Sequence, residues 1–459
     1  YKEKKDIAYL YDDVIMNKKD LYLRCDSITF FSKENRLEST GNPLIQDNDY
    51  QLDADRLIYF TELDSGIASG NVTLLQNEQK IKADKIEYVK DSKSKAVFYR
   101  AIGNVEIIDS IRTAICGIAS YDAKNEEIIL NHKPRITNED RIIKGDQIKL
   151  NYTDEVLERI FIPKNAFITS ASVGYNQLNI DSSKTLISFE DRMSSKVLNG
   201  FFMNGNLDSL RLIGMASTTY HLFEDSLYKG KNLSSGDTII MRFDEKDLDD
   251  IVVYGGSQGE YIPNKKTNDS DFPLIYSANR IDYFLKTETT KLIGNATAKH
   301  ENTDLKAGFI EVNWPTRILN AFPKQPHDST NQFIKPTIIE KGRDPMVGNE
   351  MTYNLDTKKG KINYGKTKAD DGFYKGNEIR NESDKTIYIK NSIFTTCDLD
   401  TPHFHFESIK MKIIQDDVVI AKPIILKIAE IPLFGIPLAI FPHQGGRRHS
   451  GWIMPAYGE

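Results

Sequence analysis

With 459 residues the chain is long enough for two or three domains, and 39% hydrophobic against 27% charged residues lets it bury a core, which excludes a disordered segment. Its net charge of −6, with both signs interspersed, argues against nucleic acid as the main partner. No apolar run reaches the roughly 18 residues of a membrane-spanning helix. Isoleucine, tyrosine, phenylalanine and threonine recur without helical periodicity, which predicts an all-β fold.

From the start, one pattern repeats. Cys25-Asp26-Ser27-Ile28-Thr29-Phe30 with Gly41-Asn42 is followed by Ala54-Asp55-Arg56-Leu57-Ile58-Tyr59 with Gly70-Asn71-Val72-Thr73-Leu74. Ala83-Asp84-Lys85-Ile86-Glu87-Tyr88 with Gly103-Asn104-Val105-Glu106-Ile107 comes next. The aspartates at 26, 55 and 84 stand 29 apart; a degenerate copy runs through Gly117–Tyr121, and Asp146 lies 62 beyond Asp84. A period near ~30 predicts stacked units, as in a solenoid.

Apolar and charged residues alternate in Ile86-Glu87-Tyr88 and Val105-Glu106-Ile107, as in a strand with one dry face. Asp91-Ser92-Lys93-Ser94-Lys95 is turn chemistry, Gly103-Asn104 suits positive φ for a reversal or a bulge, and Asp55 and Asp84 read as turn formers. The predicted inner stripe is Leu57, Tyr59, Val72, Leu74, Ile86, Tyr88, Phe98, Val105 and Ile107. Two readings stand: a closed solenoid core, or sheets that do not close and leave an apolar groove for a lipid.

The array covers residues 1–262, loosening after about 170, with Gly255-Gly256-Ser257-Gln258-Gly259 read as a tight turn. Residues 263–272 read as a linker. The repeat restarts at Ser277-Ala278-Asn279-Arg280-Ile281-Asp282-Tyr283 and Lys291-Leu292-Ile293-Gly294-Asn295-Ala296, adding Ile281, Tyr283 and Leu292 to the stripe. A second array thus spans 273–442, with a proline-rich irregular insertion at 314–345, and 443–459 begins something further.

Chemistry has few candidates. Gly360-Lys361-Ile362-Asn363-Tyr364-Gly365-Lys366-Thr367 spells a phosphate loop, but its strand-like alternation and the absence of a following helix predict a hairpin. His403 and His405 would share a strand face without a carboxylate at ligand spacing, so no metal site is predicted. No nucleophile elbow or zincin helix occurs, so neither catalysis nor a cofactor is expected. Cys25, Cys116 and Cys397 read as buried thiols, with one disulfide as the alternative in an oxidising compartment.

Three segments carry a resemblance: Ile393–Phe406, containing Thr395-Thr396-Cys397-Asp398; Ile431-Pro432-Leu433-Phe434-Gly435-Ile436-Pro437; and Arg447–Glu459, containing Arg448-His449-Ser450-Gly451-Trp452. Together they resemble the LptD family of lipopolysaccharide-assembly outer-membrane proteins where the periplasmic domain meets the barrel, and the repeats resemble the OstA-type units of LptA, LptC and LptD. The resemblance implies a β-jellyroll, or folded-over sheet, whose interior holds lipopolysaccharide acyl chains. It also implies an outer-membrane location facing the periplasm, an LptA-like bridge and an LptE-like plug lipoprotein as partners, and the first barrel strand within 443–459. Pro432, Pro437, Pro442 and Pro455 are expected to weaken strand pairing as the seam of a gate, with edge prolines in a wall as the bland alternative. Arg447 and Arg448 are expected to meet lipid phosphates, with a solvated charge pair at a membrane face as the alternative. A free LptA-like carrier, a β-helical carbohydrate-active enzyme and an adhesin solenoid are the rival readings.

Overall fold

The computed structural model describes residues 2–4, 6–18, 21–46, 50–76, 79–90, 97–138, 141–154, 156–176, 184–244, 247–264, 272–324, 333–341, 344–369, 372–383, 386–399, 401–414 and 417–442. The fold is all-β, with antiparallel pairing and no helix among the described residues. Two compact units divide the chain: unit 1 comprises Tyr1–Tyr175, Leu186–His221 and Asp237–Asp249, and unit 2 comprises Asn176–Thr185, Leu222–Gly236 and Asp250–Glu459.

The repeat builds a corner. Gly70–Asn71 and Gly103–Asn104 take φ of 78° and 44°, and 77° and 45°, and the ladder skips both pairs, between Ser69 and Val72 and between Ile102 and Val105. These are two-residue bulges inside long strands, Ser65–Gln76 and Val97–Ile108, and they do not reverse the chain. The repeated aspartate holds the bulge of the neighbouring strand: Asn71 donates to Asp55 at 3.0 Å, Asn104 donates to Asp84 at 2.9 Å, and the Asp55 amide donates to the Gly70 carbonyl at 2.9 Å. A Cβ on Gly103 would lie 2.2 Å from the Asp84 carboxylate, so glycine is required for space as well as for φ. Asp55 and Asp84 are therefore corner caps, a role that local turn reading could not supply because the partner lies on another strand.

Unit 2 writes the same corner. Gly294–Asn295 take φ of 74° and 49°, and Asn295 donates to Asn279 at 3.3 Å. Gly255–Gly256, read as a tight turn, are instead a bulge with φ of 72° and 59° inside the strand Asp247–Pro263. Within the span read as an insertion, the strands Ile318–Phe322 and Thr337–Glu340 both pair with Thr303–Asn313. Two short strands there do the work of one bent one, as Glu127–Asn131 and Arg135–Asn138 do on Arg112–Asp122. The phosphate-loop look-alike lies in the strand Gly360–Ala369, hairpinned to Gly372–Ser383. The turn at Asp91–Lys95, residues 265–271 of the linker and residues 443–459 lie outside the described residues.

Candidate functional site

Register turns the repeat into rows of side chains across the strands. In unit 1, Leu57 pairs with Ala68, Ala68 with Ile86, Ile86 with Ala101, Ala101 with Ala119, Ala119 with Leu130 and Leu130 with Ile148, and all seven are buried. Next to this row, away from the corner, run Tyr59, Gly66, Tyr88, Tyr99, Tyr121 and Ile128. Tyr88 and Tyr99 have ring centroids 5.5 Å apart, and Tyr99 and Tyr121 6.2 Å. Beyond the bulge, Leu52, Leu74, Ile81, Ile107, Ala114 and Ile136 form the matching row on the other arm.

Burial falls from the corner outward. Along Val97–Ile108, Ala101 and Val105 are buried (6% and 1% exposed), whereas Tyr99 and Ile107 at the ends are half-buried. The strand Gln79–Lys90 repeats this, with Ala83 and Ile86 buried and Ile81 and Tyr88 half-buried. On these two strands the dry corner is flanked by lips of apolar residues in partial contact with solvent, whereas Leu74 and Ile136 in the row beyond the bulge are buried. Burial pushes the Tyr88 phenol up to about 12, and burial, then the hydrogen bond it donates to Asp64 at 2.7 Å, raises Tyr59 as well. Burial likewise raises the Cys116 thiol to about 11, and Cys25 and Cys116 are buried free thiols.

Of the stripe residues, Leu57, Tyr59, Val72, Leu74, Ile86, Tyr88, Val105 and Ile107 stand on this inner face. Phe98 does not. It is paired with Val89 and Asp122 on the opposite face, and the inner residue is its neighbour Tyr99. Counting back in twos from Val105 reaches Ala101 and Tyr99, but the same count fails on Gln79–Lys90, where the inner positions Ala83 and Ile86 are three apart.

Unit 2 has a fuller interior. Val253, Ile281, Leu292, Ile310, Ala321, Met351, Ile362, Ile379, Ile389, Met411 and Ala421 form one unbroken cross-strand row, and all are buried. Tyr283 is buried too, but its hydroxyl lies 2.9 Å from Ser234 and 3.2 Å from Tyr276, which donates to Asn232 at 2.6 Å. Burial raises both phenols, so they stay neutral. A cavity bounded by Leu274, His300, Leu319, Met351 and Asn381 measures only about 40 Å³, room for about one water.

The interior opens at the terminal strands. A cavity of about 320 Å³, the volume of roughly ten waters, is lined by Phe394, Phe406, Met411, Ile424, Leu426, Phe434, Ile436 and Ala439. Register again explains the lining, because Tyr374, Phe394, Phe406, Leu426 and Phe434 are successive cross-strand partners. The Tyr374 and Phe394 ring centroids are 4.7 Å apart. Beside this mouth Ile431, Leu433, Leu438 and Ile440 are exposed. Pro432 and Pro437 are exposed in the same stretch, with the ladder shifting between Leu426 and Lys427 opposite Pro432. The Pro442 side chain, Arg447, Arg448 and Pro455 lie outside the described residues.

One polar feature escaped the sequence. In unit 1 the Asp191 carboxylate is buried, accepts from Ser172 and from the His221 amide (2.8 Å), and sits 2.7 Å from His221 Nδ1, whose ring stacks on Phe189 at 4.4 Å. His403 precedes the strand that buries His405, so the two imidazoles do not form a face pair; His403 Nδ1 lies 3.7 Å from Cys397 Sγ. No cluster able to hold a metal occurs among the described residues.

The family model described as LptA/(LptD N-terminal domain) LPS transport protein matches residues 51–156, and the model described as LptD protein matches 419–459. A comparison with curated proteins gives no match. Among solved structures, LptH, described as the LptA homologous periplasmic component of the lipopolysaccharide transport device of Pseudomonas aeruginosa, aligns at 13% identity and a TM-score of 0.21, over 24% of this chain and 79% of that one. The matched segments cover the corner of unit 1 and the strands at the mouth of unit 2; they make the chain LptD-like, with an OstA/LptA-like region, and support a role in lipopolysaccharide transport.

Proposed function

We propose that the chain is the periplasmic part of an outer-membrane lipopolysaccharide translocon. Its apolar interior holds lipid A acyl chains and passes them toward a barrel that inserts the lipid in the outer leaflet. The observation that carries this reading is the fall of burial from corner to lip along Gln79–Lys90 and Val97–Ile108 in unit 1. Half-buried Tyr59, Tyr88, Tyr99, Ile81 and Ile107 present apolar surface that the unit itself leaves uncovered. A methylene removed from water contributes about 0.8 kcal/mol, so a long acyl chain lying along such a surface is stabilised by on the order of 10 kcal/mol. Rows of near-identical residues offer a chain equivalent positions at each strand, so moving by one strand breaks and remakes the same contacts.

In this reading the 320 Å³ cavity at Phe406 and Phe434 is the downstream mouth, and the exposed prolines beside it belong to the gate region. An LptA-like bridge would deliver lipid to unit 1, and an LptE-like lipoprotein would plug the barrel. The LptD match over 419–459 favours this over a free LptA-like carrier. The test is in-cell photocrosslinking in the full-length protein, with the reactive residue at Tyr99, at Phe406 and, as outward control, at Phe98. Lipopolysaccharide adducts at the first two and none at the third are expected. Equal labelling at Phe98, or none at Tyr99, would return unit 1 to a closed structural solenoid.

A further inference from the structure

We propose that the outer face of the strands Thr386–Thr395, Phe404–Ile414 and Val418–Lys422 docks on a lipid surface that displays anionic phosphate headgroups. This goes beyond the transport reading, because the face is the reverse of the one that lines the interior: Met411 points into the cavity, and Lys410 and Lys412 flank it on the other side.

Pairing puts Lys390 opposite Lys410 and Lys410 opposite Lys422, with Lys412 one step along the same face, opposite Tyr388. Like charges directly opposite destabilise a ladder, and within this row only Lys390 has a carboxylate partner among the described residues. Glu378 is 2.8 Å from Lys390, but it is shared with Lys361 at 3.0 Å and Arg380 at 2.8 Å. Glu407, the other carboxylate nearby, is paired with Lys427. Lys410, Lys412 and Lys422 have no carboxylate partner among the described residues, and Lys412 Nζ lies 5.6 Å from the Tyr388 ring centroid. A solvated face normally intersperses the two signs; here three cations stand together unneutralised.

The spaces between the lysines are apolar. Ile409 is 57% exposed, and Tyr388 and Ile440, in the row of Lys412, are 41% and 62% exposed. Long lysine stems lie over apolar neighbours and extend their ammoniums to phosphate level, while tyrosine and isoleucine enter the boundary between headgroups and acyl chains. An acidic soluble protein would match the charge but leave these apolar groups without a role, so charge and apolarity together select a membrane surface.

The test uses the full chain and vesicles free of lipopolysaccharide, so failure of the transport reading and failure of this proposal are separable. Phosphatidylcholine vesicles with and without about 30% phosphatidylglycerol are sedimented with the protein at about 0.05 and 0.5 M salt. Binding at least about tenfold tighter to the anionic vesicles, and weakened by salt, is expected. The triple variant Lys410→Gln/Lys412→Gln/Lys422→Gln should lose that preference, and the corresponding Lys→Arg variant should keep it. The same charge change at Lys80, Lys133 and Lys149 in unit 1 should leave it intact. Equal binding to neutral vesicles, or equal loss in the unit 1 control, overturns the proposal. So does binding to polyglutamate that depends on the same three lysines with no vesicle binding, which would assign the face to a protein. Unchanged thermal unfolding of the triple variant shows that any loss is not misfolding.

Discussion

Along Val97–Ile108 in unit 1 the inner residues run from buried Ala101 and Val105 to half-buried Tyr99 and Ile107, whereas along Thr289–His300 in unit 2 Thr290, Leu292, Ala296, Ala298 and His300 are all buried. Both strands turn the same glycine–asparagine corner. The corner therefore sets the bend, and what lies over the lips sets whether the interior is a core or a groove. Unit 2 fills its interior with Tyr276, Tyr283 and a long aliphatic row and opens at the Phe406–Phe434 mouth; unit 1 leaves Tyr59, Tyr88, Tyr99, Ile81 and Ile107 half-buried.

Substitutions at matched positions should break or sharpen this contrast. Leu292→Asp places an unpaired charge in a closed core and should cost several kcal/mol, about 3–5, and unfold unit 2, read by urea denaturation. Ile107→Asp, on a lip of unit 1, should cost about 1 kcal/mol or less and instead reduce lipopolysaccharide adducts at Tyr99. Equal destabilisation by the two would make unit 1 as closed as unit 2.

The corner should behave alike in both units. Gly103→Ala and Gly294→Ala each force a side chain into positive φ against a neighbouring side chain, at a cost of about 1–3 kcal/mol; Asp84→Ala, which removes one cap, should cost about 1 kcal/mol. Tyr276→Phe strands the Asn232 carboxamide oxygen and should cost about 1–2 kcal/mol, against less than about 0.5 kcal/mol for Tyr88→Phe on the unit 1 lip.

The smallest effect is a pH dependence. Lys390, then Lys361 and Arg380, hold the Glu378 carboxyl down at about 2, well below the ordinary 4.5. A depressed carboxyl stabilises the fold above the unfolded value, so this contribution is complete above about pH 4.5 and is lost between pH 4.5 and 2. Thermal melts should show Glu378→Gln removing that part of the acid sensitivity, and a variant as acid-sensitive as the parent would assign it elsewhere.

Much of the repeat was legible because its chemistry is local. Glycine–asparagine at positive φ, the aspartate about a strand's length away and alternation within each arm are written in consecutive residues. The misplacement of Phe98 shows where that stops. Alternation holds only within an uninterrupted arm, the corner advances four positions between inner residues on one strand (Ala101 to Val105) and three on its neighbour (Ala83 to Ile86), and register alone decides which parity faces in. The lysine row of unit 2 was equally invisible, because Lys390, Lys410 and Lys422 are far apart in the chain and meet only through pairing.

Sequence by itself determined the all-β class, the repeat, the corner residues and the resemblance to LptD, since each rests on backbone preference or short-range pattern. Only the tertiary structure decided that burial falls toward Tyr99 and Ile107 along Val97–Ile108 but holds along Thr289–His300, that Tyr99 faces in, and that a cavity opens at Phe406. Those depend on which strands become neighbours and on what covers their ends, and burial is a property of the assembled sheet rather than of any segment in it.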